Sequence, residues 1–135
     1  MGIDVPTEVL NRLAGRENNE AQELNLELMR IASFNNYDGE KVVRSLRRNR
    51  GLWRAVTMDM EGYSHICLIK LRDLPDNCWN VSTVFILSVA GKEEQLFRIV
   101  RRWRADEVNW INEEEASKML GSFPAPSKIL RVWWD

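Results

Sequence analysis

Val81-Ser82-Thr83-Val84-Phe85-Ile86-Leu87-Ser88-Val89-Ala90 is the stretch on which the reading of the fold turns. It is rich in β-branched and aromatic residues and apolar at both odd and even positions. That is the pattern of a strand covered on both faces, and ten residues are too few to cross a bilayer. Gly91 then permits a tight turn. From Lys92-Glu93-Glu94-Gln95 onward, Leu96, Phe97, Ile99, Val100 and Trp103 recur at helical spacing, a stripe expected to lie on the sheet. Asp106 to Ile111 reads as a further strand with Val108 and Trp110 on one face, so strand, helix and strand together predict a right-handed parallel crossover.

Working upstream, Tyr63 to Leu71 alternates as a strand, and the turn cluster Asp73-Leu74-Pro75-Asp76-Asn77 predicts antiparallel pairing with the Val81 strand. Before it the chain reads as helices. Pro6 suits the first turn of one from Val5 to Leu13. A second starts at Asn19, with Gln22 as the other half of a capping box and Leu24, Leu28 and Ile31 inward; it runs to about Ser33. Asp38 caps a third, which carries Val42, Val43 and Leu46 on one side and stops at Gly51. Leu52 to Met58 is expected to add another helical turn with Trp53 inward.

Downstream, Asn112 and Glu115 form a second capping-box pattern opening a helix from Glu113 to Leu120, which Gly121 ends. Phe123-Pro124-Ala125-Pro126 is an extended connector, and Lys128 to Trp134 reads as the last strand. The expected fold is one α/β or α+β domain over residues 1–135. Its helical N-terminal part (1–60) precedes a β-β-α-β-α-β part (61–135), a mixed sheet of about four strands with a βαβαβ C-terminal half.

A chain of 135 residues can bury about two-thirds of its unfolded surface. Its composition, 44% apolar and 29% charged, is that of an ordinary globular protein, and a net charge of -1 argues against coating nucleic acid over the whole surface. The electrostatic clue is therefore distribution. No secretory h-region and no apolar run of about 18 residues is legible, so the cytoplasm is the expected location, and the two cysteines fit a reducing compartment.

Arginines concentrate in two places. Lys41, Arg44, Arg47, Arg48, Arg50 and Arg54 form one group, and Arg98, Arg101, Arg102 and Arg104 the other. A groove lined by both could hold a nucleic-acid backbone or another anion, because guanidinium groups bind phosphate bidentately; Arg44, Arg47, Arg48, Arg101, Arg102 and Arg104 are the candidates. The plainer account is that cations at helix C-termini complement the helix dipole. The turn Ser88-Val89-Ala90-Gly91-Lys92 is where an α/β enzyme would bind a small ligand, but it matches neither a Walker A nor a G-x-G-x-x-G pattern. His65 and Cys67, with Cys78 across the expected hairpin, are better explained as a bonded His and inert thiols than as a metal site or nucleophile, so no metal, cofactor or catalytic residue is assigned.

Six tryptophans are many for this length. Trp133 and Trp134 are adjacent, so on a strand they face opposite sides; either both sides are covered or one ring is exposed beside Arg131 as an interface anchor on a terminal edge strand. The leading expectation is a non-catalytic cytoplasmic binding or regulatory protein acting through protein contacts, a homodimer being one form of it, with no membrane partner. The alternatives are nucleic-acid or phosphate-anion binding through the Arg-rich helices, and a small-molecule enzyme at the Ser88 to Lys92 strand end.

Overall fold

The computed structural model describes residues 19–32, 35–59, 71, 73–77, 79, 81–121 and 128–135. In chain order these form α1 (Glu20–Ile31), α2 (Gly39–Arg48), β1 (Trp53–Asp59), β2 (Thr83–Ser88), α3 (Glu93–Val100), β3 (Glu107–Trp110), α4 (Glu113–Met119) and β4 (Ile129–Trp133). Short 3-10 turns at Arg50–Leu52, Leu74–Asp76 and Arg101–Trp103 join them. The fold is α+β: N-terminal helices precede a four-stranded sheet of order β1-β2-β4-β3 in which each neighbouring pair is antiparallel.

The Val81 stretch does form the central strand. β2 pairs with β1 on one side (Val56 opposite Ile86) and with β4 on the other (Ile86 opposite Leu130). β2 and β3 run in the same direction, as the expected crossover requires, but β4 lies between them and bonds to both, so the two are not neighbours. The expected strand at Tyr63 to Leu71 and the expected helix at Val5 to Leu13 lie outside the described residues. Both flanks of β2 are occupied by β1 and β4. β1 itself replaces the helical turn expected over Leu52 to Met58. Its alternation is interrupted by a shift in register between Trp53 and Ala55, which puts Trp53, Val56 and Met58 on the buried side at uneven spacing.

One sheet face carries the main core. Val56, Met58, Val84, Ile86, Leu130, Val132 and Trp134 meet Leu26 and Met29 of α1, Val42, Val43 and Leu46 of α2, and Leu96, Val100 and Trp103 at α3. On the opposite face, Met119 and Leu120 at the end of α4 approach Ala55, Leu87 and Ile129. Asn112 caps α4 by accepting from the Glu115 amide at 2.9 Å, and Asp38 caps α2 by accepting from the Lys41 amide at 3.2 Å, both as expected.

α1 is turned differently from its apolar pattern. Leu24 is 66% exposed and Ile31 47% exposed, while Leu26 and Met29 are buried. The reason is Gln22. Instead of capping the helix, its side-chain amide donates to the Val56 carbonyl at 2.8 Å and its carbonyl accepts from the Val56 amide at 3.0 Å. Gln22, Leu26 and Met29 stand at i, i+4 and i+7, so anchoring the first brings the other two onto the sheet. The same pair occupies β1's outward-facing backbone groups, which blunts that edge against pairing with another chain.

α1 and α2 cross at Gly39, where an added Cβ would collide with the Arg30 and Met29 carbonyl oxygens, both backbone atoms unable to swing away. Beside this crossing the buried Tyr37 hydroxyl donates to the Met29 carbonyl at 2.6 Å, and its ring meets Trp134 edge-on at 4.9 Å. Gly39→Ala is expected to lower the stability by about 1–3 kcal/mol, read from urea unfolding, as overpacking at a rigid contact does. An unchanged midpoint would mean that the two helices separate freely.

Burial, and less so the charge of Asp38, raises the Tyr37 phenol above its ordinary pKa of 10.0. A pKa raised by folding means that the folded chain keeps this proton when the unfolded chain has lost it. The stabilisation is complete below pH 10 and is lost as pH rises beyond it. Above that pH, unfolding free energy should fall by up to about 1.4 kcal/mol per pH unit from this group, a component that Tyr37→Phe removes. Parallel alkaline melts of the two proteins would show whether it does.

Candidate nucleic-acid interface

α2 is amphipathic. Val42, Val43 and Leu46 are buried, so Lys41, Arg44 and Arg48, at i, i+3 and i+7, stand together on the solvent side. α3 has the same construction, with Leu96 and Val100 inward and Arg98 and Arg102 exposed at i and i+4. The two helices lie side by side and antiparallel. Lys41, in the first turn of α2, donates through Nζ to the Arg102 main-chain carbonyl at 3.0 Å. At the other end, Asn49 and Gly51 share a recess of about 580 Å³ with Gln95, Arg98, Ile99 and Arg102. Of the basic residues, Arg98 and Arg102 line this recess, while the segment before it contributes Asn49, Gly51 and Leu52, and Lys41 reaches the end of α3 through its bond to Arg102.

Not every expected residue joins it. Arg47 turns to α1, where it pairs with Glu23 at 2.6 Å and Glu27 at 3.8 Å. Arg50 is likewise engaged, stacked 3.8 Å over the Trp53 ring and donating to the Trp53 carbonyl. Arg101 points round the far side of α3, where it lines a recess of about 480 Å³ with Phe97, Trp110, Arg98, Lys128, Glu93 and Glu94. Arg104 is exposed in a left-handed conformation (φ 60°) that reverses the chain into β3. Among the described residues, no carboxylate pairs with Arg44, Arg48, Arg98, Arg101, Arg102 or Arg104, whereas Arg30 holds Glu27 and Glu40 and Arg131 holds Glu107.

The expected terminal interface is rearranged by the topology. β4 is an inner strand flanked by β2 and β3. Trp134 is buried on the main core face and so cannot serve as an exposed anchor, while Trp133 is half-buried on the opposite face. Arg131, its side chain 15% exposed, donates to Glu107 at 2.9 Å and Asn109 at 2.8 Å across the β3–β4 ladder. With these neighbours and Phe85 it lines a recess of about 990 Å³ on that face.

At the Ser88 to Lys92 turn, the polar groups are taken up internally. Ser88 Oγ donates to the Lys128 carbonyl and accepts from its amide, and the Gly91 amide donates to the Glu93 carboxylate at 3.0 Å. His65, Cys67 and Cys78 lie outside the described residues. Among the described residues, no three His, Cys, Asp or Glu side chains form a metal-sized group, and no helix is long and apolar enough to cross a membrane.

Sequence reasoning named Arg98 within a cluster but not among the site residues, although its i, i+4 spacing from Arg102 was there to be read. Lys128 and Asn49 carried no signal, since only the closing of β4 and the end of α2 bring them to the basic helices. Because Arg47 pairs with exposed carboxylates of α1, Arg47→Gln is expected to cost only about 0.2–1 kcal/mol of stability, the range for an exposed pair, checked by urea unfolding at low and high salt. No protein-family model, curated protein or solved structure matches this chain.

Proposed function

We propose that this protein binds nucleic acid without chemistry, holding the phosphate backbone along the groove between α2 and α3. The observation that carries the reading is the Lys41 to Arg102 hydrogen bond, which sets the cations of one helix beside those of the other. Arg98 and Arg102 line the recess, with Asn49 and Gln95 as neutral donors, and Lys41, Arg44 and Arg48 are exposed on α2 to continue the contact. A chain with net charge -1 is a poor general polyanion sponge, so its attraction is local. Residence in the cytoplasm belongs to the same proposal, as does action by binding alone.

Fluorescence anisotropy with a labelled oligonucleotide tests it. About five phosphate contacts would weaken affinity roughly 100-fold between about 50 and 200 mM salt. Replacing both Arg98 and Arg102 with Glu should cost about tenfold or more at low salt and flatten the salt slope, whereas Arg47→Gln should change affinity by less than about twofold. No binding of any oligonucleotide at low salt would overturn the reading.

A second reading, association with another copy of this chain, is favoured by one observation. Leu24 and Ile31, with half-buried Leu28 between them, form an apolar stripe at i, i+4 and i+7 on the outer face of α1. Light scattering is expected to give a dimer that Leu24→Gln converts to a monomer; a monomer at every concentration removes this reading and leaves the first untouched.

A further inference from the structure

The recess on the far side of α3 has chemistry that the phosphate groove does not use. Phe97 of α3 and Trp110 of β3 lie nearly parallel, ring centroids 6.3 Å apart and planes 25° from each other, and both are only half-buried. Around them stand Arg98, Arg101 and Lys128, with Glu93 and Glu94 along the helix start. Trp110 lies opposite Leu130 at the β3 edge, on the main core face, where its half-buried ring packs against the rim of the core. A half-open pair of rings between cations suits a flat, conjugated group attached to an anion.

Resting on the nucleic-acid reading above, we infer that the ligand is single-stranded, with one unpaired base stacked on the Phe97–Trp110 pair and its phosphates carried over α3 by Arg98 and Arg101. Arg98 is the link, because it lines this recess and the α2–α3 groove alike. A strand crossing α3 at that residue meets cations on both sides, while its base turns down into a space of about 480 Å³. A duplex cannot use the platform, since its bases are already stacked within the helix and its grooves expose only their edges. Glu93 is occupied by the Gly91 amide, and Glu94 is exposed on the recess wall. Their charge keeps phosphate off that wall and leaves a carboxylate to accept from an exocyclic amine of the stacked base. Lys128 closes the opposite wall.

The experiment compares single-stranded and duplex oligonucleotides of equal length, with 2-aminopurine as an internal base reporter in the single strand. Single strands are expected to bind about tenfold more tightly than duplex, with the reporter's emission quenched on binding by the aromatic rings. Trp110→Leu should lose about tenfold for the single strand, and nothing for the duplex. Phe97→Leu, which keeps an apolar contact with the core, serves as the second variant should Trp110→Leu melt early. Equal affinity for both forms, with an unquenched reporter and no effect of either variant, overturns the inference while leaving the phosphate groove standing. Failure of both nucleic acids to bind removes the groove itself.

Discussion

The placement of β4 between β2 and β3 is the constraint to which the rest of the molecule answers. Leu130, Val132 and Trp134 put three side chains into the main core, and Ile129, Arg131 and Trp133 face the other way, so both sides of this strand must be furnished. On one side that is done by α1, α2 and α3. Among the described residues, the other has α4, near Ile129, and an internal ionic pair at Arg131. Because β4 separates β2 from β3, the connection through α3 has to pass over it. α3 therefore lies across the sheet with its outer surface free, and that surface is where Arg98 and Arg102 stand.

The antiparallel approach of α2 and α3 bears on what the arginines are for. Cations in a helix's last turn are stabilised by its dipole, and Arg47 and Arg48 of α2 satisfy that account without a ligand. Arg47 has in addition two carboxylates. Lys41 starts α2 but faces the end of α3, where the partial negative charge of that helix's last carbonyls favours a cation. There it donates to a carbonyl oxygen and leaves its charge beside Arg102.

Legibility in the sequence followed how directly each signal reported on packing. The Val81 strand, the α3 stripe, the caps at Asp38 and Asn112 and the strand holding Val108 and Trp110 all emerged, because each pattern is fixed by the element it belongs to. β1 did not. Its shift in register between Trp53 and Ala55 breaks the period of two on which strand reading depends. α1 appeared as a helix, but with its faces exchanged. Three leucine and isoleucine side chains outweigh one glutamine on any apolarity count, yet two hydrogen bonds between Gln22 and Val56, one donated and one accepted by the glutamine, fix the rotation. For β4 the sequence left two readings open, both sides covered or one ring exposed at a terminal edge, and the apolar residues on both its faces were the mark of the first. For the candidate site, the sequence displayed both arginine groups but not which members share a groove, a question of helix phase and neighbour that spacing within either group leaves open.

Two sheet edges are left, and they are treated differently. β1 has its Val56 amide and carbonyl taken by Gln22, so that edge is closed to strand addition. β3 is only four residues long and bears Glu107 and Asn109, which bond to Arg131. Shortness and charge discourage pairing there by a different route, one that leaves the aromatic ring of Trp110 at the rim. This half-buried indole packs against the core from the edge of the sheet. Set beside Phe97 and framed by cations from α3 and the start of β4, the same ring gains a use for its exposed face. In the reading we propose, a charged, planar ligand stacked there would engage the indole and the surrounding charge in a single contact.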